Sequence, residues 1–164
     1  MSESYPALTI WQPWATLIAE GMKPFEFRGW APHQAMWERR IAIHAGARPV
    51  RRDEVVALLL QLQSRYPGSA AGTGLVRHAE AIALLQRISL TPRSLPLSAV
   101  LCTAQLGVPI RNHQLAAAMG VDLINDSDRD EHTNWGWPLT EIERLEPFMP
   151  ARGAQGFWTW RRPG

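Results

Sequence analysis

The chain has 164 residues, 46% hydrophobic and 20% charged, with a formal net charge of +2 and one cysteine. This size and balance suit one domain over 1–164 with its own core, and they exclude disorder, a disulfide scaffold and a thiolate metal cluster. The weakly basic balance, with a pI near 9.2, excludes retention on duplex DNA mainly by phosphate neutralisation, and no apolar stretch approaches the ~20 residues of a membrane span. With no basic-then-apolar leader pattern at the N-terminus, the expected location is cytoplasmic.

Ala7 to Ile10 reads as a first strand, after which Trp11-Gln12-Pro13-Trp14 turns into a helix with Pro13 suited to its first position. Ala15, Leu17, Ile18 and Ala19 supply its apolar side, and Gly21 is placed as the left-handed stop. Phe25 to Trp30 alternates, with Phe25 and Phe27 on one face and Glu26 and Arg28 on the other. Arg40 to Ala45 is a third strand. Residues 51 to about 90 change character: Asp53-Glu54 open an apolar helix stopped by Pro67-Gly68, and a second helix runs from about Leu75 to Arg87. This pair reads as a helical insertion packed on a sheet. Leu97 to Leu106 returns to strand, with Cys102 as a buried small hydrophobe and Thr103 structural. Asn112 is placed to cap a short helix through Met119, closed by Gly120.

Val121 to Asn134 is polar and acid-rich and reads as a solvated surface loop. Asp126, Asp128 and Asp130 imitate the start of a calcium loop, but Glu131 stands where that motif needs glycine and Trp137 where it needs glutamate. Two late strands follow, about Trp135 to Leu139, with Glu141 to Leu145 as an extension, and Gly156 to Arg161. Strands with helices inserted between them, and no alternating βαβ rhythm, predict an α+β fold built on a small mixed β-barrel.

The sequence contains no phosphate-cradling glycine loop, no Gly-x-Ser-x-Gly elbow and no His-Glu-x-x-His pair, and His33, His44, His78, His113 and His132 lack ligand spacing. Metal-free chemistry or binding without a cofactor is therefore expected. Lys23 is the one lysine against sixteen arginines. Arginine stays protonated at any accessible pH, whereas a lysine amine is tunable by its surroundings, so Lys23 is a candidate functional amine. The eight tryptophans exceed what a core of this size needs and suit a surface that stacks bases. Trp135, Trp137, Trp158 and Trp160 divide between core and rim, while Arg39-Arg40, Arg48, Arg51-Arg52 and Arg161-Arg162 offer a basic rim.

Leu8-Thr9-Ile10-Trp11-Gln12-Pro13-Trp14-Ala15, then Gly21-x-Lys23-x-x-Glu26-x-Arg28, Trp30 and Ile43-His44-Ala45, resembles the ASCH domain family of the PUA-like superfamily. The strand from Ser98 to Leu106, Trp135-Gly136-Trp137 and Gly153-Ala154-Gln155-Gly156-Phe157-Trp158 add to the likeness. The resemblance implies a PUA-like barrel with flanking helices and a cleft beside the first helix and the signature strand. It also implies RNA or a modified nucleoside or nucleotide as partner, bound around Lys23, Glu26 and Arg28. Trp11 and Trp14 would stack on a base, one of them being core, with Gln12 bonding the base edge and His44 either a polar contact or a satisfied structural histidine. Two hydrolytic alternatives come with the family, a metal-independent amidohydrolase of N4-acylated cytidine and a metal-independent ribonuclease. Either would place Lys23 and Glu26 in catalysis. In the amidohydrolase branch a threonine nucleophile stands where this chain has Glu26, which leaves water activation by the glutamate. Neither the base preferred nor the oligomeric state is set by the sequence.

Overall fold

A computed structural model describes residues 2–127 and 129–164. Asp128 and the side chain of His132 lie outside the described residues. The elements run β1 (Ser4–Ile10), α1 (Trp14–Ala19), β2 (Phe25–Arg28), β3 (Arg40–Ala45), α2 (Arg52–Gln63), α3 (His78–Leu90), β4 (Ala99–Leu106), β5 (Ile110–Arg111), α4 (Asn112–Ala118), β6 (Trp135–Pro150) and β7 (Phe157–Arg161). The α+β expectation is met, with helices near the anticipated positions.

The sheet follows the order β2-β6-β4-β3-β1-β7, with β5 joined to β6. It contains one parallel pair, β1–β3, in which Thr9 lies opposite His44, flanked by antiparallel β4 and β7. The expected closed barrel is corrected here: β2 and β7 end the ladder path as edges, so the sheet is open. The cause lies in β6. Its first residues pair with β2 and β5 and the rest with β4, through two register shifts, one beside Glu141 at φ 48° and one between Arg144 and Met149. Such bulges bend a strand and strengthen its twist. The two ends meet through side chains instead, with the Trp137 and Phe157 rings 5.9 Å apart and stacked, and Trp30 edge-on to both.

One continuous core joins α1 to the sheet and to the buried faces of α2 and α3, through Leu17 and Ile18, Ile41 and Ile43, Leu58 and Leu62, Leu85 and Ile88. Alternation along β2 sends Phe25 and Phe27 into a second cluster with Leu115, Ala116 and Ile124. Burial pushes the Cys102 thiol up to about 12, which leaves it a packing group. Asn112 departs from its expected role as a cap. It is the first residue of α4, and its amide bonds the carbonyl (2.7 Å) and N–H (3.3 Å) of Ile124.

Candidate functional site

The signature segment is fixed where α1 ends. Gly21 turns the chain at φ 75°, and the N–H groups of Met22 and Lys23 both bond the Leu17 carbonyl, at 2.9 and 3.1 Å. This closure directs the Lys23 side chain inward beside β2, where it is 2% exposed, with its amine 4.6 Å from the centre of the Phe27 ring. Two carboxylates meet it there. Asp126 accepts a hydrogen bond from the amine, and a Glu26 oxygen lies 3.8 Å away. On the solvent side Arg28 donates to Glu26 at 2.9 Å and to the Thr9 carbonyl at 3.2 Å. The result is an unbroken chain of alternating charge, Asp126–Lys23–Glu26–Arg28, mostly out of water. Buried ions persist only when paired in this way.

Within this charge chain, Asp126 is the member that the sequence does not reveal. Its loop reads as solvated surface, yet Asp126 is buried and forms the inner end of the charge chain. Burial pushes its carboxyl above the ordinary carboxylate value, and the Lys23 ammonium opposes that rise. Three contacts hold it. The Trp14 indole N–H donates to its carbonyl at 3.1 Å, the Asn125 N–H donates to the Gly72 carbonyl at 2.8 Å, and Asn112 grips Ile124 two residues earlier.

These groups floor a cleft of about 690 Å³. Its walls come from Thr9 to Trp11, Trp14, Trp30, Gly46-Ala47, Ser127, Arg129 and the 152–156 segment. Lys23, Glu26, Arg28, Trp11, Trp14 and His44 all line it. The two indoles divide: Trp14 is buried, whereas Trp11 is 40% exposed and lies between guanidinium groups, Arg48 at 4.1 Å and Arg129 at 5.2 Å. Such cation–π neighbours orient an exposed ring.

Gln12 departs from the sequence expectation. It is fully buried, its amide donates to the Pro96 carbonyl at 2.9 Å, and its oxygen accepts from the Thr16 N–H at 2.9 Å, so it starts the helix and lies off the cleft. His44 has internal partners, in keeping with the structural alternative for it. Its Nε2–H donates to the Ala151 carbonyl at 2.8 Å, leaving Nδ1 to accept from the Thr9 hydroxyl at 3.1 Å, which in turn accepts from the Trp158 indole at 3.1 Å. Burial lowers its pKa below the ordinary value, keeping the ring neutral, as this tautomer requires.

Trp30, Arg129 and Arg152 join the cleft without being candidates from the sequence, and none of the arginine pairs offered there for a rim lines it. Arg48 does not line the cleft but meets two residues that do, Trp11 and Glu54. Trp137 and Trp160 are core, and Trp135 stacks under Arg111 at 4.0 Å. Among the described residues no group of three or more His, Cys, Asp or Glu side chains is arranged to hold a metal ion, and no helix is long and apolar enough to cross a membrane.

Comparison with curated proteins gives no match. Residues 8–88, which contain α1, the signature segment and the charged side chains on β2, match the family model of the ASCH domain, and this segment belongs to the ASCH domain family.

Proposed function

We propose that the cleft binds a single nucleobase, presented by RNA or a modified nucleotide. The observation that carries this reading is the juxtaposition of a buried donor–acceptor chain with an exposed indole at the cleft mouth. Glu26 is an acceptor suited to an exocyclic amine, while Arg28 and the remaining Lys23 N–H groups are donors suited to ring carbonyls. Trp11 offers a face of the kind on which unpaired bases stack. A volume of about 690 Å³ suits a ligand the size of one nucleotide. The RNA-binding character of the family points the same way. Titration of short single-stranded RNA, followed by tryptophan fluorescence and by anisotropy of labelled RNA, tests the reading. Trp11→Ala is expected to weaken binding about tenfold, since base–aromatic stacking is worth ~1–3 kcal/mol, with an unchanged melting temperature. Equal affinity in wild type and variant would sink the stacking role.

A second reading, amide hydrolysis on an N4-acylated cytosine, is favoured by the amine and two carboxylates brought together around Lys23. Water deprotonated by Glu26 would add to the acyl carbon, and Lys23 would hold the oxyanion. The C–N bond would then break as the proton passes to the departing amine. HPLC of N4-acetylcytidine with wild type, Lys23→Ala and Glu26→Gln decides it. Turnover by wild type alone establishes the hydrolase, and no turnover by any of the three leaves binding as the function.

A further inference from the structure

Among the described residues, the charged side chains that line the cleft are paired at every point but one. Lys23 faces Asp126, Arg28 faces Glu26, Glu54 takes both guanidinium nitrogens of Arg48 (2.8 and 3.1 Å), and Arg129 pairs with Glu131. Arg152 lines the cleft, is exposed, and has no acidic partner among the described residues. It opens the segment Gly153-Ala154-Gln155-Gly156, all four residues of which also line the cleft. Among the described residues their four backbone N–H groups have no hydrogen-bond acceptor, in contrast to Ala151 just before them, whose N–H bonds the Ser98 carbonyl at 3.0 Å.

The segment is held in place from below. A Cβ on Gly153 would stand 2.5 Å from His44 Cε1 and 2.6 Å from the Thr9 hydroxyl, so the backbone lies directly on the Trp158–Thr9–His44 relay. The same histidine fixes the segment's origin through the Ala151 carbonyl. Gly156 leaves it at φ 65°, open to solvent. A positioned run of unpaired amides beside an unpaired guanidinium is the donor set that phosphate oxygens require.

We propose that Arg152 and the amides of Gly153 to Gly156 form a phosphate subsite, so that the ligand enters as a nucleotide or an RNA phosphodiester rather than as a free nucleoside. This deepens the base-binding reading, and the two are separable by experiment. Amide-resolved NMR of the full chain with inorganic phosphate tests the subsite by itself. The resonances of Gly153 to Gly156 are expected to shift saturably in wild type and to stay fixed in Arg152→Gln. Resonances that do not move in wild type, or that move equally in the variant, overturn the proposal.

Affinities for cytidine, cytidine 5′-monophosphate and a cytidine dinucleotide form the second arm. Arg152→Gln is expected to lower affinity for a phosphorylated ligand about tenfold, the scale of one charge-assisted contact, while leaving cytidine binding unchanged. Preference for the monophosphate identifies a terminal phosphate as the group held, and preference for the dinucleotide identifies an internal phosphodiester. Equal binding of nucleoside and nucleotide with unmoved amides removes the subsite and leaves base binding standing. Phosphate-induced shifts without binding of any base-containing ligand keep the subsite and remove the base.

Discussion

At the scale of single residues, the Lys23–Asp126 pair decides how the site is built. An ion pair taken out of water gives little net stability, but removing one partner leaves the other buried and uncompensated. Asp126→Ala is therefore expected to cost about 3–5 kcal/mol in urea unfolding. Asp126→Asn, which keeps an acceptor oxygen, is expected to cost less. A loss under about 1 kcal/mol for the alanine variant would mean that Lys23 reaches water and is not the buried group described. His44 makes a prediction about pH. Burial holds its folded-state pKa below the ordinary value of 6.5, so between those two values the unfolded chain takes up a proton that the fold refuses. Its contribution is fully present above about pH 6.5 and is lost as pH falls through that value toward the lowered one. Wild type should lose more stability than His44→Gln between pH 7.5 and pH 5, and parallel profiles would contradict this. Much at this scale is legible in the sequence. The lone lysine, the alternation of Glu26 and Arg28 against Phe25 and Phe27, and the stop at Gly21 all announce themselves locally. Asp126 does not, because a run of Asn125, Asp126, Ser127, Asp128 and Arg129 looks like a solvated turn. Nothing near it says that one acid is carried back onto a lysine 103 positions away. Gln12 misleads for the opposite reason, since its proximity to the motif says nothing of the backbone groups that occupy its amide.

At the scale of elements, the segment between α2 and α3 acts as a brace for the site. Gly72 accepts from the Asn125 N–H, Val76 donates its N–H to the Met22 carbonyl at 2.9 Å, and Arg77 donates to the Glu20 carbonyl at 2.9 Å. The helical segment thus clamps both the Asp126 loop and the turn that carries Lys23. Gly74 is the closest approach. It sits at φ 71°, and a Cβ there would meet the Phe27 ring at 2.8 Å and Ile124 at 2.9 Å. Gly74→Ala is expected to cost about 1–3 kcal/mol and to speed hydrogen exchange at the Ile124 amide. Unchanged exchange at that amide would show that the brace does not restrain the loop. The two helices were legible from their periodicity, whereas the clamp was not, because it depends on backbone carbonyls that every residue carries. The 16-residue β6 reads in the sequence only as a strand from about Trp135 to Leu139 with an extension over Glu141 to Leu145, for a similar reason. Its bulge at Glu141 shifts the register and breaks the alternation while the strand continues along β4.

At the scale of the whole molecule, an open sheet curls until Phe157 on one edge strand packs on Trp137 beside the other, and the cleft lies along that meeting. Composition and pattern sufficed for the α+β class, but barrel closure depends on whether β2 and β7 exchange hydrogen bonds, which no local pattern encodes. The cleft collects its lining from segments as distant as Thr9, Arg129 and Gly156, so its donor–acceptor floor and its aromatic mouth exist only in the assembled fold. In the proposed complex a ligand base contacts the buried charge chain. The single lysine makes this directly measurable, since protein labelled with 13C-lysine carries one side-chain reporter, at Lys23. Titrated with short single-stranded RNA, its ε-methylene resonance is expected to shift saturably with the same midpoint as the fluorescence change, and to do so less readily in Trp11→Ala. A Lys23 resonance that stays fixed while RNA binds would place the RNA elsewhere on the surface and overturn base binding at the charge chain.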